Sequence, residues 1–203
     1  MPAPRISGRE KWKYKKWFTV VTPPVLGEVP VAVIPADSPE KALGRTIEIT
    51  LYDLFGDISQ LHMRFILQIS EIDGDIAKTV FKQFHVSRDY LRSLTKRKSS
   101  KVTLITNLTT KDNARIRVTA MVFTTFRCKT SQKKAIRRII YQVLSEVSKQ
   151  LTVDELIQSI IQGKIQMQLH EASKKIYPIR RAEIAKIKIL SQPKAALPQE
   201  AVA

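Results

Sequence analysis

The chain has 203 residues, a formal net charge of +17 at pH 7 and a hydrophobic fraction of 43%. That is one ordinary domain, or one with appendages, with enough apolar content for a core, so a wholly disordered basic tail is excluded. No apolar run is long enough to span a bilayer, residues 1–10 lack a signal-peptide core, one cysteine and three scattered histidines make no zinc site of the usual spacing, and six isolated glycines make no phosphate loop, so the chain reads as a cytoplasmic protein with no membrane partner, metal or cofactor.

Residues 1–16 read as a basic arm. Arg5, Arg9, Lys11, Lys13, Lys15 and Lys16 stand there against one acid, Glu10, and Trp12, Tyr14 and Trp17 interleave with them. Lysine meets phosphate while a ring stacks on a base, a combination that suits RNA. The alternative is that the two tryptophans pack on the domain and anchor the arm. One domain is expected over 17–190, followed by a disordered Pro/Ala-rich tail over 191–203.

Short strands follow. Trp17–Val21 is stopped by Pro23-Pro24, and Val29–Ile34 ends at Pro35. Asp37-Ser38-Pro39-Glu40 opens a helical turn with proline just inside. Arg45–Leu51 alternates as a half-buried strand, with Ile47, Ile49 and Leu51 on one side. Leu61–Ile72 alternates again, Asp73-Gly74 marks a hairpin, and Ala77–Val86 returns. Ser87 starts a short helix to about Lys96. Lys101–Leu108 and Ala114–Phe126 form another strand pair. About seven short strands with hairpin turns predict an antiparallel barrel or a strongly curved sheet.

The period then changes. Ile136, Ile139, Ile140, Val143, Leu144, Val147 and Leu151 follow helical spacing, predicting an amphipathic helix over 131–150. Thr152-Val153-Asp154-Glu155 is a capping box opening a second helix that Gly163 ends. A third helix runs over 165–175, and 184–190 is a last strand. The fold class is α+β: an antiparallel β-barrel of about seven strands with flanking helices in the C-terminal third.

The charge is segregated. Residues 96–138 hold thirteen basic side chains against Asp112 alone, and residues 28–57 hold six acids against Lys41 and Arg45. A surface built only for solubility mixes its signs. Arg127, Lys129, Lys133, Lys134, Arg137 and Arg138 surround the start of the long helix, where the helix dipole disfavours cations and attracts phosphate. The loop cluster Lys96, Arg97, Lys98 and Lys101, and the pair Arg180 and Arg181, complete the candidate RNA-binding set, with a solvated polar surface as the alternative for each. Catalytic candidates are thin. His85 beside Asp89 reads as a cap or packing residue, the scattered Glu48, Asp53 and Asp57 demand no metal, and Cys128 reads as a small buried residue. A converging acid, base or metal set is not visible, so no enzyme is expected.

Leu43-Gly44-Arg45-Thr46-Ile47-Glu48-Ile49-Thr50-Leu51-Tyr52-Asp53-Leu54 resembles the signature of a small-subunit ribosomal protein family of archaea and eukaryotes, called in words eS-one or S-three-Ae. Thr46 and Thr50 depart from its usual aliphatic and Ser/Cys positions but keep strand propensity. Lys15-Lys16-Trp17-Phe18, Phe84–Asp89 and Ile176-Tyr177-Pro178-Ile179 with Lys186-Ile187-Lys188-Ile189-Leu190 resemble three further family segments, in the same order. The resemblance spans about residues 10–194 and is to an archaeal-type member. It implies a structural, ribosomal-RNA-binding protein on the platform of the small subunit near the messenger RNA exit. Its implied partners are small-subunit ribosomal RNA, neighbouring platform proteins and messenger RNA. A free basic RNA- or DNA-binding factor is the alternative, and Glu48 and Asp53 are expected to fix a turn rather than touch RNA.

Overall fold

The structure, a computed structural model, describes Trp12 and residues 15–191. Arg5, Arg9, Lys11 and Lys13 of the expected arm, and the Pro/Ala-rich tail from Gln192, lie outside the described residues. Two compact units divide between Lys82 and Gln83.

The first unit holds β1 (Lys16–Val21), β2 (Pro30–Ala36), α1 (Pro39–Ala42), β3 (Thr46–Thr50), α2 (Leu51–Phe55), β4 (Met63–Asp73) and the first half of β5 (Ile76–Val86). Period-two patterning decides what is buried: Met63, Phe65, Leu67 and Ile69 of β4 all point inward. Phe65 meets Phe81 of β5 edge to face, with centroids 6.0 Å apart. Phe18, Val20, Ala36, Ala42, Ile69 and Ala77 form one apolar cluster. β2 runs through Pro35 to Ala36 rather than ending before it, because β2 is an edge strand and tolerates a missing N–H.

One element here was not expected. The strand predicted over 45–51 gives way at Leu51 to α2. Thr50 Oγ1 accepts from the Asp53 N–H at 3.3 Å, and Asp53 Oδ2 accepts from the Thr50 N–H at 2.9 Å, a reciprocal cap that turns the chain into a helix. Gly56, at φ +70°, closes it.

The second unit holds the rest of β5, then α3 (Arg88–Leu94), β6 (Lys101–Thr109), β7 (Arg115–Thr124), α4 (Thr130–Gln150), α5 (Val153–Ile161), α6 (Lys164–Lys174) and β8 (Ile179–Ser191). Its strands run antiparallel in the order β5-β8-β7-β6. Ile116, Val118, Ala120 and Val122 of β7 are buried on one sheet face, and Ile136, Ile140 and Leu144 line the buried side of α4. α4 packs on β6, and α6 packs on β8 and α4. β8 begins five residues earlier than expected. It pairs Ile184 with Ala120 and Lys186 with Thr119, so Ala185 is an extra bulged residue. That bulge shifts the phase of the strand, so Ile184 and Ala185 are buried side by side, whereas Glu183 on the opposite face from Ile184 is held by Tyr90 and Arg181.

The α+β class holds, but two details of the expected barrel do not. The eight-stranded sheet is mixed, because β1 and β5 pair parallel through Thr19↔Ile76. Strands β2, β3 and β4 intervene between them, and that crossover returns the chain in the same direction. Among the described residues no pairing closes the sheet, whose path ends at β2 and β6. At β6, Arg137 Nε of α4 donates to the Thr103 carbonyl at 3.1 Å, occupying a backbone acceptor of this edge strand.

Candidate nucleic-acid interface

The acidic candidates are all used structurally. Asp53 caps α2, Glu48 pairs with Arg64 at 3.0 Å, and Asp57 Oδ1 accepts from the Ser59 N–H at 2.9 Å. The two bonds from Thr50 hold the Asp53 carboxyl below its ordinary value. Among the described residues no group of three or more His, Cys, Asp or Glu is placed to hold a metal ion.

The cations divide by what holds them. In α4 the first turn carries no acid, and Gln132 Oε1 accepts the Lys129 N–H at 2.9 Å. Lys134 and Arg138 are exposed one turn apart, away from the buried Ile136–Ile140–Leu144 stripe, and Lys133 is half-buried. Arg137 differs, because its guanidinium ties the helix to β6 through Thr103.

The loop after α3 presents Lys96, Arg97 and Lys98, all exposed, with Lys101 exposed at the start of β6. Ser99 donates from its hydroxyl to the Lys96 carbonyl at 2.6 Å, and Lys98 takes a left-handed φ of +61° to complete the turn. Arg127 and Lys129 are exposed on the segment between β7 and α4. Cys128 between them is buried, and its N–H donates to Ser100 Oγ at 3.2 Å.

Arg180 and Arg181 lie in β8 rather than in a loop. Arg180 is exposed. Arg181 Nε donates to Glu183 Oε1 at 2.9 Å, and the Glu183 side chain is only 5% exposed, so Arg181 balances a buried carboxylate. Burial opposes the Arg181 cation, yet the Glu183 bond and the neighbouring charges raise its pKa above the ordinary value.

Of the arm, Lys15 Nζ sits 4.2 Å above the Trp12 ring, a cation–π contact, and Lys16 opens β1. Trp12 and Trp17 meet edge to face at 6.0 Å, and both remain more than half exposed. Trp12 thus packs against a ring of β1.

Four further cations were not singled out from the sequence. Pairing register sets Gln83, Lys188, Arg117 and Asn107 in one row across β5-β8-β7-β6. His85, Lys186, Thr119 and Ile105 form the next row. Arg115, Arg117, Lys186 and Lys188 are exposed, on the face opposite Ile116, Val118 and Ile187. Lys188 lies directly across from Arg117, and like charges so placed are unfavourable. Arg117 Nε donates to Asn107 Oδ1 at 2.9 Å, which steadies the guanidinium without neutralising it. The signal was available: both segments place a cation at every second position of a strand whose other face is apolar.

Among the described residues, the second unit presents exposed cations without an ion pair from three places: the start of α4, the loop before β6, and the face of β7 and β8 that bears Arg117 and Lys188. Residues 4–193 match the Ribosomal S3Ae family. The chain is 48% identical over 194 residues to the small ribosomal subunit protein eS1 of Desulfurococcus amylolyticus, covering 96% of this chain and 91% of that protein. It is 47% identical over 203 residues to the protein of the same name from Staphylothermus marinus, covering 100% and 96%. The corresponding protein of Aeropyrum pernix is 46% identical over 198 residues, covering 96% and 92%.

Proposed function

The chain belongs to the Ribosomal S3Ae family, and on that footing we propose that it is a structural constituent of the small ribosomal subunit, working in translation in the cytoplasm. It holds ribosomal RNA by charge neutralisation and shape, without catalysis. The platform near the messenger RNA exit is its place, with ribosomal RNA, platform proteins and emerging messenger RNA as neighbours. The single observation that carries the RNA-binding part is the Arg117–Lys188 cross-strand pair on a face that also bears Lys186 and Arg115. Folding alone disfavours that arrangement by some tenths of a kcal/mol per pair, and a polyphosphate chain reverses the sign.

Each part of the surface has a role in this reading. The exposed start of α4 takes phosphate through its free N–H groups and the helix dipole, and Lys134 and Arg138 add side-chain charge further along the helix. Lys96, Arg97, Lys98, Lys101, Arg127 and Lys129 bind from loops, and Arg180 from β8. Arg5, Arg9, Lys11, Lys13, Lys15 and Lys16 extend the contact through the arm. Arg137 and Arg181 contribute mainly by fixing β6 and Glu183.

Binding of small-subunit ribosomal RNA and of duplex DNA, measured against salt at equal concentrations, tests this. The expected result is tighter binding to the RNA, with a steep fall in log affinity against log salt. Equal affinity for duplex DNA would favour a free nucleic-acid-binding factor instead.

A further inference from the structure

The loop before β6 and the segment after β7 enclose an open cleft of about 620 Å³ lined by Lys98, Ser99, Phe126 and Arg127. That volume is within the range of small-ligand sites, roughly 300–1,000 Å³. Phe126 is 62% exposed and Lys98 and Arg127 are also exposed, so the cleft is lined by an aromatic ring and two cations. A lone exposed phenylalanine needs no explanation, but this one is held in place. Thr124, fully buried, accepts the Ser100 N–H at 2.9 Å, and its single hydroxyl proton is donated to the Phe126 carbonyl at 2.6 Å, with the Ser100 carbonyl also 3.1 Å from the same oxygen. On either side of the ring, the Thr125 N–H donates to the Pro178 carbonyl at 3.1 Å and the Tyr177 hydroxyl donates to the Arg127 carbonyl at 3.2 Å. Cys128 N–H to Ser100 Oγ closes the frame. Backbone fixed in this way loses little entropy when the ring is covered.

We infer that this cleft receives one unstacked nucleobase of RNA, with Phe126 as the stacking platform and Lys98 and Arg127 on the phosphates to either side. Single-stranded bases are recognised by stacking on aromatic faces, and every base offers such a face, so the site selects an unpaired nucleotide rather than a sequence. Ser99 supplies a polar group at the cleft edge. Lys98 is set for this by its left-handed turn, and Arg127 by the anchored carbonyl beside it. The inference rests on the RNA-binding reading and adds a residue, Phe126, that carries no charge.

The test uses the full chain, a perfectly paired RNA duplex, and the same duplex with one unpaired 2-aminopurine, at matched salt. The unmodified chain should bind the bulged RNA about tenfold more tightly, and the 2-aminopurine fluorescence should change on binding. F126A should remove both the preference and the signal while leaving affinity for the paired duplex unchanged, and F126W should retain them. A bulge preference that survives F126A, or no preference in the unmodified chain, overturns the inference and leaves the RNA-binding reading standing. Failure of the unmodified chain to bind either RNA overturns both.

Discussion

Tyr90 and Glu183 stand 93 positions apart in the chain, and the phenol of one donates a 3.1 Å hydrogen bond to Oε1 of the other. The same oxygen accepts Arg181 Nε at 2.9 Å. A carboxylate buried on a β-strand is tolerated because two donors converge on it. Tyr90→Phe should therefore lower stability by about 1–2 kcal/mol. Burial, then the negative Glu183 beside it, raises the Tyr90 phenol above its ordinary 10.0. The folded state thus holds this proton more tightly than the unfolded chain. The resulting stability is complete below pH 10.0 and is lost as pH rises through the folded value. Urea midpoints taken near neutrality and in the alkaline range should fall less steeply with pH in the Phe variant than in the parent.

Charge reversal separates binding cations from structural ones. Lys134→Glu with Arg138→Glu should weaken RNA binding and flatten its salt slope, each lost phosphate contact removing roughly 0.7–0.9 from that slope. Thermal melting should be nearly unchanged, because both side chains are exposed. Arg137→Glu should also lower the melting temperature, since it breaks the bond to Thr103 on β6. An unchanged salt slope in the double variant would remove α4 from the interface.

The open sheet face gives a second contrast. Lys188→Gln relieves the repulsion with Arg117 across the strand. It should raise stability by about 0.2–1 kcal/mol while weakening RNA binding. Denaturant unfolding and a salt-titrated binding assay on the same variant check the two signs together. A variant that is both less stable and unchanged in binding would contradict this use of the face.

A reciprocal cap opens α5. Thr152 Oγ1 accepts the Glu155 N–H at 3.3 Å, and Glu155 Oε2 accepts the Thr152 N–H at 2.8 Å. Thr152→Ala should destabilise by about 1 kcal/mol. The bonds from Thr152 lower the Glu155 carboxyl below its ordinary 4.5, so its contribution is present above that value and lost as pH falls through the folded one. Glu155→Ala should consequently be less stable than the parent at neutral pH, with the gap closing in acid.

Much of the fold was legible because its signals are local. The alternation of Met63, Phe65, Leu67 and Ile69, the Asp73-Gly74 turn and the Thr152–Glu155 capping box each lie within a few residues, and the structure contains each. The helix at Leu51 was missed because Ile47, Ile49 and Leu51 extend the strand pattern across Thr50, although Thr50 and Asp53 also spell a cap. Sheet closure and strand direction depend on pairings far apart in sequence, such as Thr19↔Ile76, and no local pattern specifies them. The candidate site divides in the same way. Basic runs in loops and at the start of α4 are visible as runs. The row through Lys188 and Arg117 exists only once β7 and β8 are in register. Arg181 and Glu183 share a strand face by simple alternation, but the burial of Glu183 that commits Arg181 to it depends on Tyr90, 93 positions away.

The most direct test of the account is a sucrose gradient of native lysate, probed for this chain at moderate and at high salt. Comigration with small ribosomal subunits that survives the high-salt wash is the predicted result. A chain that remains at the top of the gradient at both salts would contradict its role as a structural constituent of that subunit.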